Sequence, residues 1–384
     1  MNFDLTDRQK EMKKELAAWL NQAFQDDILF HKRELSAQKD LIRTFLQKLA
    51  GLPFYFQTGL DPNLAKSSPY SEALTWVLQA EEMALLSPSL CLTAEISSRL
   101  FGWMILRYGN KKQLREFLTP LQKGQLIGAV TMAESSGNFS EKGFETEAQK
   151  EGNGYRIRGR KKLVINAPLA DCLAIPGKLN DRLAFFLIKA GQPGLMIGEP
   201  LETLGFKDLV MADVTLNHCL VPEDQIIGPF THPAPWAELQ VRSNLIITVA
   251  SLGVMMRALQ GAKRYSAESP EGHKPAQAYQ EIRFKLAEMF TLYQTAQWML
   301  YRAAWMLETL APEAETVAAA TKIFVTEAAE EVARAAMQIM AGEGYLSHNK
   351  IEECFRDARF GPVAGDTSEV LRMRIAEDCL QKYR

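Results

Sequence analysis

The sequence predicts an α+β protein with a helical N-terminal domain, a middle antiparallel β domain and a C-terminal four-helix bundle. Two observations lead to this prediction. Apolar residues recur every three or four positions in the first and last blocks of the chain, but every second position in the middle block. The chain has 384 residues, 47% of them hydrophobic, which suits two or three folded domains. The expected domain ranges are 1–125, 126–230 and 231–384.

The first block carries the spacing of amphipathic helices. Ile42, Phe45 and Leu49 fall on one helical face, and the same spacing returns at 73–78. Prolines punctuate the stretch 53–69 between these runs, as in loops that connect helices. The first block is therefore predicted to be a helical domain.

The middle block has the alternation of strands. Residues 155–160 alternate between arginine and apolar or small residues, and 183–188 is a continuous apolar run typical of a buried strand. The basic row ends at Lys161 and Lys162, which we expect to lie on a solvated strand face. The alternative is contact with an anionic cofactor or partner.

Four long helices are predicted in the last block, with apolar residues on more than one side. Such helices indicate a bundle with a subunit interface. The Gly342-Glu343-Gly344 turn is expected to join the third helix to the last. The apolar run 245–256 is shorter than the roughly 20 residues of a membrane helix, so it predicts a core helix. The four expected ranges are 236–267, 276–311, 313–340 and 367–381.

Composition excludes several function classes. The formal net charge is −2, so neither nucleic acid nor an anionic membrane is an expected partner. The five cysteines form no CxxC pair and the five histidines lie far apart, so no metal site is expected. Without an apolar N-terminal leader, the prediction is a cytoplasmic protein with reduced thiols.

Several short segments occur in a fixed order across nearly the whole chain. They include Tyr108-Gly109, Gly159-x-Lys161, Val221-Pro222, Lys274-Pro275, Gln338-Ile339-x-x-Gly342-x-Gly344-Tyr345 and Arg356-Asp357-Ala358-Arg359. Their order and spacing resemble those of the acyl-CoA dehydrogenase family. That resemblance implies FAD between the β domain and the C-terminal helices, with its adenosine end reaching a neighbouring subunit. It also implies a carboxylate that takes the α-proton of an acyl thioester while the flavin takes the β-hydride.

The residues that the resemblance assigns to proton abstraction are replaced. Gly365 stands where the family has the Glu of a Tyr-Glu-Gly-Thr stretch, and Ser243 stands at the alternative base position on the first C-terminal helix. Asn244 replaces the arginine beside it. Asp366 is then the candidate for a displaced base. The alternative is that Asp366 caps the helix beginning at Thr367.

Flavin contacts are also altered. The family's Trp-Ile-Thr strand reads Leu163-Val164-Ile165, and Ser269 replaces the arginine that holds the FAD diphosphate. The stretch that in the family reads Thr-Glu-Pro-x-Ala-Gly-Ser-Asp retains only Glu134. Glu95 is expected to be a solvated or interface carboxylate, with a position in the acyl pocket as the alternative. The remaining candidates for FAD binding are Gln338, Gly342, Gly344 and Thr367, for which a plain helix-to-helix turn is the alternative at 338–344.

Three functions follow from this pattern. The favoured one is a degenerate or FAD-site-sharing subunit of a hetero-oligomeric acyl-CoA dehydrogenase, completed by a paralogue. The second is a self-sufficient flavoenzyme with a displaced base, acting on an acyl-CoA or acyl-carrier-protein thioester, or a flavin monooxygenase. The third is a flavin-free enzyme or binding scaffold. In each case a homo- or hetero-oligomer, dimeric or tetrameric, is expected, with FAD shared or lost.

Overall fold

The computed structural model describes residues 4–23, 33–52, 55, 72–134, 144–268 and 274–382. Its N-terminal part is helical, as predicted, and the helices are amphipathic or buried on most sides. Two segments, Ile96–Gly102 and Leu114–Leu118, are π-helical turns within longer helices. The α-helices are α1 (Asp7–Ala23), α2 (Leu35–Ala50), α3 (Ala73–Leu86), α4 (Pro88–Glu95), α5 (Trp103–Tyr108), α6 (Lys111–Gln113) and α7 (Thr119–Gln122).

A charged cluster lies inside this helical part. Glu95 is fully buried, accepts a hydrogen bond of 2.8 Å from the Tyr55 hydroxyl and another from the Trp76 indole, and lies 3.8 Å from Arg99. Burial raises the pKa of Glu95 even though Arg99 acts in the opposite direction. The expectation of a solvated or interface carboxylate was wrong, because Tyr55 and Trp76, which are remote in sequence, enclose it together with Arg99.

Within the described residues, nine strands form one sheet. Most neighbours are antiparallel, with long pairings between β4 and β8 and between β5 and β6. However, β1 and β3 both pair with β5 in parallel, so the sheet is mixed and not purely antiparallel as predicted. The strands are β1 (Gly128–Val130), β2 (Ala133–Glu134), β3 (Glu147–Glu151), β4 (Gly154–Ile165), β5 (Cys172–Leu179), β6 (Arg182–Lys189), β7 (Leu195–Ile197), β8 (Met211–Pro222) and β9 (Ile226–Ile227).

Lys161 does not lie on a solvated strand face. Its ammonium is fully buried, 2.6 Å from a Glu134 carboxylate oxygen, and the Thr146 hydroxyl donates to the same carboxylate at 2.6 Å. Burial lowers the pKa of Lys161 to about 8 despite this partner. Lys162, the next residue, is half-buried and pairs with Asp213. Strand alternation separates the two lysines, since neighbouring side chains point to opposite faces.

The last block is helical, and its four long helices confirm the predicted ones within a few residues. Two short helices follow the Gly342–Gly344 turn, so that turn leads to α11 and not directly to the final helix. Most of the apolar part of α8 is buried against other helices, although α8 is long and apolar enough to cross a membrane. The helices are α8 (Ala234–Ala267), α9 (Gln280–Glu308), α10 (Ala314–Met340), α11 (Lys350–Ala358), α12 (Phe360–Val363) and α13 (Ser368–Lys382).

One contact ties the sheet to the C-terminal helices. The loop before β8 lies against α11, where the backbone N–H of Phe206 donates to the buried carboxylate of Asp357. Burial raises the pKa of Asp357 to about 7. Gly205 is needed at this contact, because a Cβ there would lie 2.6 Å from backbone atoms of Arg356. The edge of the sheet is thereby held beside α8, α11 and α12.

Replacing Lys161 by Met should remove the cation from a fully buried pair and leave the Glu134 carboxylate without its charged partner. We expect the free energy of unfolding in urea to fall by about 3–5 kcal/mol. The double variant Glu134→Gln with Lys161→Met removes both charges and should recover more than half of this loss. Lys150→Met is the matched control, because Lys150 pairs with Glu223 at the surface and should change stability little. Equal losses in the two single variants would contradict the importance of the buried pair.

Candidate active site

A cavity of about 370 Å³ lies where strand β4 and the loop before β8 face helices α8, α11 and α12. It is lined mainly by apolar side chains, and it adjoins a wider cleft of about 1130 Å³ that shares three of its residues. The lining residues are Ile96, Leu100, Val130, Met132, Ala133, Lys162, Leu163, Val164, Ile165, Thr203, Leu204, Gly205, Met211, Ser243, Ile246, Ile247, Arg356, Arg359, Phe360, Val363, Ala364 and Gly365.

This lining contains no side chain that acts as a general base near neutral pH. Among the described residues, no Asp, Glu, His, Cys or Tyr lines the cavity. Its charged side chains are all cations with partners. Lys162 pairs with Asp213. Arg356 lies 2.7 Å from Glu352 and Arg359 lies 2.5 Å from Glu330, measured from nitrogen to oxygen.

Both positions at which the resemblance places a base open onto this cavity. Ser243 lines it from α8, and Gly365 lines it from the segment between α12 and α13. Gly365 has a φ of +63°, a left-handed conformation that a glycine adopts without strain. A Cβ at Gly365 would lie 2.8 Å from Asn244 Oδ1 and 2.8 Å from Ile247 Cδ1. The backbone at this position is therefore built around glycine.

Asp366 faces away from the cavity and is not among its lining residues. Its buried carboxylate accepts hydrogen bonds from Asn244 Nδ2 at 2.8 Å, from Gln240 Nε2 at 3.2 Å and from Arg374 at 2.8 Å. Asn244 Oδ1 in turn accepts from the Asp366 backbone N–H at 3.2 Å. These contacts make Asp366 an anchor for its own segment, and its carboxylate is not part of the cavity lining.

A buried lysine fixes the same segment from α10. Lys322 Nζ donates to the carbonyl oxygens of Ala364, at 2.6 Å, and of Asp366. Burial lowers the pKa of Lys322 to about 8, although the Asp366 charge acts in the opposite direction. The helix that follows begins at Ser368, and the Thr367 hydroxyl caps it by accepting from the Val370 N–H at 3.4 Å. The cap is therefore Thr367, not Asp366 as the alternative proposed.

The turn after α10 lies outside the cavity lining. Gln338 is exposed near the end of α10, and Ala341–Tyr345 forms a 3₁₀ turn. Gly342 faces open space, with no atom within 4 Å of where a Cβ would be, whereas a Cβ on Gly344 would lie 2.7 Å from the Met337 carbonyl oxygen. The structure thus brings neither these three candidates nor Thr367 to the cavity, and it leaves Gly342 accessible from outside the chain.

Comparison with known families covers all three parts of the chain. Residues 6–125 match the family described as acyl-CoA dehydrogenase, N-terminal domain, residues 129–219 its middle domain, and residues 242–380 its C-terminal domain. The chain belongs to the acyl-CoA dehydrogenase family. The fold that the resemblance implied is confirmed, as is the order of the three parts.

Individual relatives are distant but nearly complete. Benzylmalonyl-CoA dehydrogenase of Aromatoleum aromaticum is 28% identical over 98% of this chain and 99% of its own. Butyryl-CoA dehydrogenase of Megasphaera elsdenii superposes with a TM-score of 0.86 at 24% identity, covering 99% of this chain and all of its own. A structure of PigA with FAD and proline superposes with a TM-score of 0.83 at 21% identity, covering 99% of each chain. At these identities the two structures establish the fold alone.

Membership of the acyl-CoA dehydrogenase family supports FAD as the cofactor. The cavity fits the ring system of FAD in part. The walls are apolar, and Leu163, Val164 and Ile165 of β4 would contact a flat ring, with Leu163 61% exposed. Ile165 has no hydroxyl, so any hydrogen bond from this strand to the ring must come from the backbone. The diphosphate position Ser269 lies outside the described residues.

Sequence reasoning missed part of this site. Ile96 and Leu100 close one end of the cavity from the π-helical turn, and α8 adds Ile246 and Ile247. The sequence predicted that Ile246 and Ile247 lie in a core helix, and it gave no prediction for Ile96 or Leu100. A π-helical turn shifts the register of a helix by one residue, and nothing in the local composition announces it.

Glutamate should destabilise the chain more at Gly365 than at Ser243, the two vacant base positions. Gly365→Glu forces a side chain into a left-handed backbone beside Asn244 and Ile247, so the free energy of unfolding should fall by at least about 1–2 kcal/mol. Ser243→Glu extends a half-buried helical side chain into the cavity and should cost less. Urea denaturation of both variants tests this, with Gly365→Ala to isolate the backbone strain. A Gly365→Glu variant as stable as the unmodified chain would contradict the geometry.

Proposed function

We propose that this chain is a subunit of a hetero-oligomeric acyl-CoA dehydrogenase that holds an acyl thioester beside FAD without supplying a base. The observation that carries the proposal is the lining of the cavity. Across the described residues, it offers no carboxylate, imidazole, thiol or phenol, and Ser243 and Gly365 stand at both base positions. A catalytically complete paralogue would supply the base in a complete site of its own.

The chain's own residues suit the binding part of this function. Ile246, Ile247 and Val363 provide apolar contacts for an acyl group, while the strand 163–165 provides the surface for the ring. When bound, FAD would accept the hydride from the β-carbon of the thioester. A general base must lie within hydrogen-bond reach of the proton it takes, and no described lining residue meets this condition. Either a CoA or a carrier-protein thioester is compatible with these contacts.

The surface of the C-terminal helices supports an oligomer. Large apolar side chains on α9 and α13 are about half exposed or more, which is unusual for a surface that remains in water. Apolar surface of this kind is typical of subunit interfaces, where aromatic residues are enriched. These residues are Phe284, Phe290, Trp298, Trp305, Met373 and Leu380.

The turn at 338–344 suits contact with the FAD of a neighbouring subunit. Gln338 and Gly342 are exposed, and Gly342 leaves bare backbone that a dinucleotide approaches closely. The Thr367 hydroxyl instead caps helix α13, so Thr367 would affect FAD binding only by positioning the start of that helix. We propose that Gln338 and Gly342 bind a partner's cofactor, with Gly344 shaping the turn.

A second candidate function is a self-sufficient flavoenzyme. It is favoured by one observation, since the cavity is open and continuous with the wider cleft instead of being filled by Leu163 and Ile165. This candidate requires chemistry that does not depend on a protein carboxylate in the lining. A flavin-free scaffold is the outcome if FAD does not bind.

Co-expression tests the hetero-oligomer. A tagged copy of this chain, produced with a catalytically complete paralogue from the same genome, should yield a yellow complex that contains both chains and FAD. Flavin absorbance and native mass spectrometry measure the cofactor and the subunit ratio. The paralogue with its base changed from Glu to Gln is the control and should keep the yellow colour but lose dehydrogenation. The proposal fails if this chain alone binds one FAD per subunit and oxidises acyl-CoA.

Gly342→Val should weaken FAD binding in that complex without destabilising the chain. The added side chain meets open space within its own subunit, so the unfolding midpoint should stay unchanged. A side chain between the turn and a neighbour's dinucleotide should raise the dissociation constant for FAD by about tenfold. Fluorescence titration of FAD measures this effect. Gly344→Val is the contrasting variant, because its side chain collides with the Met337 carbonyl and should unfold the turn. Unchanged FAD affinity in a stable Gly342→Val complex would exclude this role.

A further inference from the structure

Bare backbone and a free donor stand at the two base positions of the cavity. Gly365 presents bare backbone, and Ser243 presents a hydroxyl that has no hydrogen-bond partner in the part of the chain described. The two lie on adjoining parts of the wall, since Gly365 is packed against Asn244 and Ile247 of α8. A polar group of a ligand would therefore find a donor here that the protein does not use.

The lining is compatible with an anionic ligand group. Its three charged side chains are cations, each paired with a carboxylate outside the lining, and no carboxylate lines the cavity among the described residues. A substrate carboxylate would therefore meet no like charge in this lining. A substrate without such a group would find no base among the described residues at these positions.

The direction of the breaking bond connects these observations. When a base takes a proton from C2 of a thioester, the C–H bond points at that base. A carboxylate on C2 in place of that proton points at the same spot, beside Ser243 and Gly365. Loss of CO2 leaves the bonding electron pair on C2, as loss of a proton does, but it needs no base.

We propose that the cavity takes a 2-carboxyacyl thioester, that is, a substituted malonyl thioester, and that loss of CO2 replaces proton abstraction. The inference rests on the proposed function for the placement of an acyl thioester in this cavity. The Ser243 hydroxyl donates a hydrogen bond to the carboxylate. Ile246 and Ile247 make the surroundings apolar, which disfavours the carboxylate charge and favours its conversion to neutral CO2.

The step balances within the substrate and solvent. The bond between C2 and the carboxyl carbon breaks, CO2 leaves, and the electron pair stays on the substrate as a thioester enolate. A proton from solvent then adds to C2 and gives the saturated acyl thioester. This step exchanges no electrons with an oxidant, so its readout does not depend on flavin turnover.

The test uses the full-length chain loaded with FAD and two CoA thioesters that differ only in the carboxyl group. Ethylmalonyl-CoA labelled with carbon-13 in the free carboxyl group is the probe, and butyryl-CoA is its counterpart without that group. In D2O we expect labelled CO2 and one deuterium at C2 of the product, above the rate without protein. The C2 protons of butyryl-CoA should not exchange. Calorimetry measures the binding of each thioester separately.

Variants of Ser243 separate its role from a general effect on folding. Ser243→Ala should raise KM for ethylmalonyl-CoA by about tenfold, the loss of one hydrogen bond to a charged group, and leave butyryl-CoA binding unchanged. Ser243→Glu should abolish CO2 release by charge repulsion and introduce C2 proton exchange in butyryl-CoA. Ser266→Ala is the control, since its hydroxyl lies elsewhere on α8 and bonds to Lys263.

The outcomes distinguish this inference from the proposed function. Binding of both thioesters without CO2 release would overturn the inference and leave the proposed function intact. Exchange of the butyryl-CoA C2 protons by the unmodified chain would also overturn it, because the site would then hold a base. Failure of both thioesters to bind would overturn the inference and the proposed function together.

Discussion

The burial of helix α8 is the constraint on which the rest of the structure depends. This helix is 34 residues long and apolar on nearly every side, so it is stable in water only when other elements cover it. Helices α3, α9, α10 and α11 pack around it, and Gly253 lets α3 approach closely, since a Cβ there would lie 2.5 Å from Ala84. The N-terminal and C-terminal parts of the chain thus share one hydrophobic core.

Two polar residues in that apolar helix decide the shape of the site. Gln240 and Asn244 are buried, and both bind the Asp366 carboxylate, which Arg374 also reaches. Together with Lys322 they hold the segment before α13 so that Gly365 stays in a left-handed conformation. The missing base is therefore a property of the backbone and its anchors. A single substitution at Gly365 would not restore it, whereas Ser243 stands on an unstrained helix.

Among the described residues, the cavity lining offers apolar contacts for an acyl group and no side chain that acts as a base. The cavity is apolar, open and flanked by cations that already have partners. Such a lining is consistent with a subunit that relies on a partner, and equally with a substrate that carries its own leaving group on C2. Both alternatives use the same contacts at Ser243 and Gly365. They differ in whether a reaction takes place in the cavity of this chain.

The sequence by itself determined the three-part architecture and the long helices, because periodicity and residue identity are local properties. It also gave the family through the order of short motifs, which the comparisons confirmed. Only the tertiary structure decided which charges are buried. Lys161 meets Glu134 across 27 positions, and Asn244 meets Asp366 across 122. The free energy of a buried charge depends on such remote partners, and no local pattern encodes them. For the same reason the orientation of Asp366, the burial of Glu95 and the cap at Thr367 became clear only in the folded chain.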